Sequence, residues 1–286
     1  MSEVSLIRVF VRDGLGGNPV PLVEDARGMS AAEMQAVAAT YGHESAFVLP
    51  GEGGCDWRFR FFVPQHEMEM CGHATVGTLW ALRQWGRWTG PSARIETLSG
   101  VVQAYWDDAA QCAWISQPAV RVQTLDEQAC HRVAAQLGLP PGDYKTVNAA
   151  TSRVKTLVAL PSVSMLDGLQ PDFSTMEALC TEIGSTGLYP YAIGTANADG
   201  RPVVHARQFP KSSGYPEDAA TGIAAAALWG YLASEGVLGS DPVASIAVWQ
   251  GDAMGSPSEI LVAPRMSDQG LPDGCWLSGA AAWGDR

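Results

Sequence analysis

Cys71-Gly72-His73-Ala74-Thr75 opens a run of good helix formers around an apolar face that continues to Trp85, and Ala220-Thr221 opens a second such run that continues to Ala233. The two Ala-Thr pairs stand 146 positions apart, close to half of the 286-residue length. Each run follows a loop, announced by Pro64 in the first half and by Pro210 with Gly214 in the second. Further upstream, Ser30-Ala31-Ala32-Glu33 reads as a capping box, in which the serine hydroxyl and the glutamate carboxylate satisfy backbone donors at a helix start. Met34, Val37, Ala38 and Tyr41 then recur at helical spacing until Gly42, a residue suited to the left-handed turn that ends a helix. Ser174-Thr175-Met176-Glu177 has the same pattern 144 positions later, followed by Leu179, Ile183 and Gly184. Several elements in the same order at nearly one offset predict an ancestral duplication.

Between these helices the pattern changes to strands. Ser45 to Leu49 is a short apolar run, Gly51 to Gly54 a turn, and Trp57 to Val63 partly alternates apolar and basic residues, as a strand with one wet face does. Residues 188 to 193 and 202 to 209 are the matching strand candidates of the second half. A helix over Leu125 to Leu137 is announced by Thr124 and Glu127 and stopped by Gly138 before Pro140 and Pro141. The expected fold class is α+β in two pseudo-symmetric lobes. Residues 1–118 form the N-terminal lobe and 119–286 the C-terminal lobe, with the last strand a candidate to cross back to the first.

Composition excludes several function classes. Thirty acidic residues against eighteen basic ones give a formal charge of −12, and Lys and Arg are scattered, so nucleic acid and anionic membranes are poor partners. No apolar run approaches the length that spans a bilayer, and the N-terminus lacks a basic segment followed by a hydrophobic one, so a cytoplasmic enzyme is expected. The six cysteines form no CxxC pair and no Cys/His spacing typical of zinc, which predicts buried thiols and no metal site.

If the lobes are related by approximate symmetry, the loops before the two apolar helices face each other across a cleft. Unpaired N–H groups at a helix start attract anions, and Gly72 and Gly222 allow close backbone approach, so a small carboxylate is the expected ligand. Glu44, His73 and Asp218 lie at these places and suit general acid/base work, because burial and neighbours move their proton affinities. Taken singly, each has a plainer reading: Glu44 a solvated carboxylate at a strand start, His73 a capping or packing residue, Asp218 a helix cap. Their joint placement on a repeated framework favours the chemical reading. Cys71, beside a helix start, is a candidate base for a racemase, but its counterpart positions in the second half, Glu217 and Asp218, carry no thiol.

Gly17-Asn18-Pro19, Glu44-Ser45-Ala46-Phe47-Val48, Cys71-Gly72-His73-Ala74-Thr75, Glu217-Asp218-Ala219-Ala220-Thr221-Gly222 and Gln250-Gly251 occur in this order along nearly the whole chain. The chain resembles the phenazine-biosynthesis PhzF-like proteins. The resemblance implies a diaminopimelate-epimerase-like fold, each lobe a curved, mostly antiparallel sheet around a central helix, and a homodimer. It implies a cofactor-independent isomerase of secondary metabolism in which Glu44 moves a proton on a cyclic or diene carboxylate, assisted by His73 and Asp218. It also implies substrate contacts from Asn18, Gly72, Ala74, Thr75, Thr221, Gly222 and Ile223. Ile223 stands where the phenazine enzyme has a hydroxyl residue, and His43 where it has serine, so a different substrate is expected. Carbon–carbon bond cleavage, as in PhzF-like relatives of antibiotic pathways, is the leading alternative. A Cys71-dependent racemase or epimerase and a non-catalytic binding protein follow.

Overall fold

The computed structural model describes residues 3–238, 244–270 and 272–284, a mixed α/β chain dominated by sheet with few helices. It divides into two compact units, Met1–Ser116 with Trp276–Arg286, and Gln117–Cys275.

In the first unit, strand Val4–Val9 lies antiparallel between Asn18–Val23 and the C-terminal Ala281–Trp283. Asn18–Val23 runs parallel to Ser45–Pro50, and the crossover that parallel pairing requires is helix α1 (Ala31–Tyr41). Its capping box forms as the sequence predicts, with Ser30 Oγ accepting from Glu33 N at 3.3 Å and Glu33 Oε2 accepting from Ser30 N at 2.8 Å, and Gly42 ends it at φ 72°. Ser45–Pro50 turns back antiparallel on Trp57–Phe62, which in turn runs parallel to Ser92–Thr97. The crossover here is helix α2 (Gly72–Gln84). Ten of its thirteen residues are buried, because small and apolar side chains surround it until Arg83. It packs on the strands Val4–Val9, Asn18–Val23, Ser45–Pro50 and Ala281–Trp283. Trp283 seals the last of these against Trp80 and Trp85 at ring separations of 5.0 and 5.4 Å.

The second unit repeats that order of pairings. Arg121–Thr124, Thr146–Ala150 and Val154–Ala159 are antiparallel in sequence, with helix α3 (Glu127–Gln136) between the first two. Val154–Ala159 runs parallel to Gly187–Ile193 across helices α4 (Val163–Asp167) and α5 (Met176–Glu182). Gly187–Ile193 pairs antiparallel with Val203–Ala206, which runs parallel to Ile246–Gln250 across helix α6 (Gly222–Ser234). No residue of α6 is charged, ten of its thirteen are buried, and it packs on Thr146–Ala150, Val154–Ala159 and Ser258–Met266.

The duplication is therefore present in the topology, although two of the matches that suggested it, the second capping box and the Ala-Thr pairs, are not equivalent in the structure. Ser174 does not cap α5: Asp172 Oδ1 accepts from both its backbone N–H at 2.9 Å and its hydroxyl at 2.6 Å, and the helix begins only at Met176. Thr124 likewise does not start α3. It lies in a strand, and Asp126 caps the helix through Ala129 N at 2.7 Å. The two apolar helices begin at Gly72 and Gly222, so Ala74-Thr75 sits inside the first turn of α2 while Ala220-Thr221 precedes α6.

Among the described residues, which include all six cysteines, no disulfide forms; Cys71, Cys112, Cys180 and Cys275 are buried and Cys55 and Cys130 half-buried. Among the described residues, no helix is long and apolar enough to cross a membrane. In α2, a Cβ at Gly77 would stand 2.4 Å from Cγ2 of the buried Val9, whose branched side chain has little freedom to give way. Overpacking costs about 1–3 kcal/mol and outweighs the helix-propensity gain of about 1 kcal/mol. Gly77→Ala is therefore expected to lower the urea midpoint at unchanged slope, and an unchanged midpoint contradicts the close packing.

Candidate active site

Glu44 sits between the left-handed Gly42 that ends α1 and the strand that begins at Ser45. Ser45 is fully buried and its hydroxyl donates to His43 O at 3.1 Å, which holds the turn on either side of Glu44. The glutamate side chain is only 15% exposed, so the solvated-carboxylate reading does not describe it. Its Oε2 lies 3.9 Å from His73 Nε2, longer than a hydrogen bond and close enough for both groups to address one substrate atom.

His73 is the second residue of α2 and 5% exposed. Its Nδ1 is 3.5 Å from the Sγ of Cys71, the residue that precedes the helix. The Thr75 hydroxyl donates back to Cys71 O at 2.7 Å. Gly72 and Ala74 are buried in the same first turn. Asn18 opens its strand opposite Val9 and is 8% exposed. Beside it Gly17 has φ 80°, and a Cβ there would meet Val9 O at 2.8 Å, so the turn requires glycine.

In the second unit Asp218 is held by its own loop. Its N–H donates to Gln208 O at 3.0 Å, and its Oδ2 accepts from the hydroxyl of Thr221, the residue that precedes α6. Gly222 and Ile223 are the first residues of that helix and are buried, and Ile223 O accepts from Thr151 Oγ1 at 3.5 Å. Helix starts fix the correspondence between units. Thr221, not Glu217 or Asp218, is the counterpart of Cys71, and Ile223 is the counterpart of His73. The second unit therefore carries threonine, not cysteine, at the position that corresponds to Cys71.

A matched pair of ion pairs, which the sequence reading overlooked, supports the two loops. In the first unit Arg60 donates through Nε and Nη2 to both oxygens of Glu67, each at 2.7 Å, with its guanidinium 5.1 Å from the Phe62 ring. In the second, Arg207 donates to both oxygens of Glu217 at 2.8 and 2.7 Å, with its guanidinium 4.9 Å from the Phe209 ring. Arg-x-Phe, inside Trp57–Phe62 in the first unit and directly after Val203–Ala206 in the second, and a glutamate five positions before each helix's glycine are the sequence signal of this arrangement. Such forked, charge-assisted pairs fix orientation as well as supply energy.

Residues 7–283 match the model of a family described as phenazine biosynthesis-like protein. A protein of Deinococcus radiodurans described as an uncharacterized isomerase is 34% identical, over 92% of this chain and 86% of its own length. The trans-2,3-dihydro-3-hydroxyanthranilate isomerase of Pseudomonas fluorescens is 29% identical, over 90% of this chain and 88% of its own. The crystal structure of a phenazine biosynthesis protein of the PhzF family from Bacillus anthracis superposes with a TM-score of 0.86 at 26% identity, covering 98% of this chain and 96% of that one.

Proposed function

We propose, from the premise that this chain belongs to the phenazine biosynthesis-like (PhzF) family and is an isomerase, that it moves a proton on a small cyclic or diene carboxylate with Glu44 as the general acid/base. The observation that carries this reading is the placement of Glu44: a carboxylate withdrawn from solvent, 3.9 Å from a buried histidine at the start of an apolar helix. A carboxylate can take a proton from an acidic carbon and return it to another without a cofactor, provided it stays in place between the two steps. The buried Ser45 and the Gly42 turn hold it there. His73 and Asp218 assist as hydrogen-bonding and proton-holding groups. The first turns of α2 and α6, with Gly72 and Gly222, supply backbone N–H groups of the kind that bind carboxylates.

Trans-2,3-dihydro-3-hydroxyanthranilate is the first substrate to offer, as the one named for a relative. In deuterated water the expected result is an isomerised product carrying solvent deuterium at the carbon that receives the proton. Release of two fragments supports the carbon–carbon cleavage reading instead. Binding of this compound and related diene carboxylates with neither conversion nor exchange overturns the enzymatic assignment.

The distance of 3.5 Å from Cys71 Sγ to His73 Nδ1 favours a second reading, in which the thiol is a base activated by the imidazole. The threonine at the counterpart of Cys71 speaks against a symmetric two-thiol racemase.

A further inference from the structure

Gln250 is fully buried at the end of its strand, and its side-chain amide makes four hydrogen bonds within the second unit. Its Oε1 accepts from the Tyr189 hydroxyl at 2.9 Å and from Thr221 N at 3.3 Å. Its Nε2 donates to Asp218 O at 2.7 Å and to Thr221 Oγ1 at 3.2 Å. The Thr221 N–H on one side and the Asp218 carbonyl on the other settle which end of the amide is oxygen, since reversing it sets Nε2 against an N–H and Oε1 against a carbonyl oxygen. Burial and the charge of Asp218 push the Tyr189 phenol well above its ordinary range, so it remains a donor. Thr221 Oγ1 already receives a proton from Nε2, and its own proton is therefore directed to Asp218 Oδ2.

We propose that Gln250 is a positioning residue for Asp218, acting through the hydroxyl of Thr221 to hold the carboxylate in one orientation and in its charged form. The reasoning follows the direction of the protons. Tyr189 orients the amide, the amide orients the threonine hydroxyl, and the hydroxyl donates to the carboxylate. A chain of hydrogen bonds in which every member is satisfied is stronger and stiffer than its separate pairs. The backbone arm of the same amide, to Asp218 O, fixes the loop from which the side chain projects. The role matters for catalysis only on the reading of Asp218 as a group of the reaction, but its test needs no substrate.

The test is a pH titration of Asp218 by NMR in the full chain labelled with 13Cγ-aspartate, its signal assigned with Asp218→Asn. Titratable groups that bear on Asp218 include Tyr189, whose phenol stays protonated, and the adjoining Glu217, which is paired with Arg207. A hydrogen bond to the charged form lowers a carboxyl pKa, so losing it is expected to raise the Asp218 midpoint by about one pH unit in Gln250→Met and in Thr221→Val. Thr221→Ser keeps the hydroxyl and is expected to keep the wild-type midpoint, which a purely structural role of the threonine does not require. If Gln250→Met does not fold, Tyr189→Phe takes its place and is expected to show part of the rise. A midpoint that stays at the wild-type value in Thr221→Val and in the folded Gln250 or Tyr189 variant overturns the proposal, whether or not the chain proves to be an isomerase of the stated substrate.

Discussion

Glu44→Gln is expected to lower turnover by about 10² to 10⁴ while leaving the fold and ligand binding in place, since that is the usual contribution of a positioned acid/base. The amide is isosteric with the part-buried carboxylate it replaces, but it cannot accept and return a proton. The loss should fall on kcat, with KM little changed, because in the proposed reaction the substituted group acts on the reacting proton rather than on a carboxylate that anchors the substrate. Cys71→Ala is expected to be mild by comparison, since the thiol serves there to pack a helix start and to sit beside His73. Both variants are to be measured with the same substrate in deuterated water. The opposite ranking, with Cys71→Ala inactive and Glu44→Gln exchanging at the wild-type rate, establishes the thiol as the base and ends the Glu44 assignment.

The second large effect concerns Arg207. Its guanidinium pairs with both oxygens of Glu217 and also donates to Leu166 O at 3.1 Å and to Asp167 O and Leu169 O at 3.3 Å, closing the end of α4. The two side chains are only 11% and 10% exposed. Removing one partner of such a pair leaves an uncompensated charge away from water, at a cost of about 3–5 kcal/mol. Arg207→Met is therefore expected to destabilise the chain by about 3 kcal/mol, the lower end, because both groups retain some solvent. Arg60→Met, whose pair is 19% and 24% exposed and lacks the added carbonyl contacts, is expected to cost less. Urea unfolding of both variants checks the order, and equal costs contradict the burial argument. Glu217 adjoins Asp218, so the titration of Asp218 should also move in Arg207→Met as the unpaired Glu217 charge disfavours a second carboxylate nearby.

Local signals determined much of this protein on their own. The capping box at Ser30, the stop at Gly42 and the apolar runs of α2 and α6 were readable because each rests on hydrogen bonds or side-chain chemistry within a few residues. The family was legible for a related reason: motifs such as Glu44-Ser45 and Cys71-Gly72-His73 are contiguous in the chain. What failed was competition from residues the local pattern ignored. Asp172 took the Ser174 donors, and Asp126 stood closer to the α3 start than Thr124. Long-range pairing lay beyond the sequence altogether. That Glu44 is withdrawn from water and that Gln250 meets Thr221 across 29 positions follow from strands and helices brought together by packing. Hydrogen bonds select partners by distance in space, and only the tertiary structure supplies that distance.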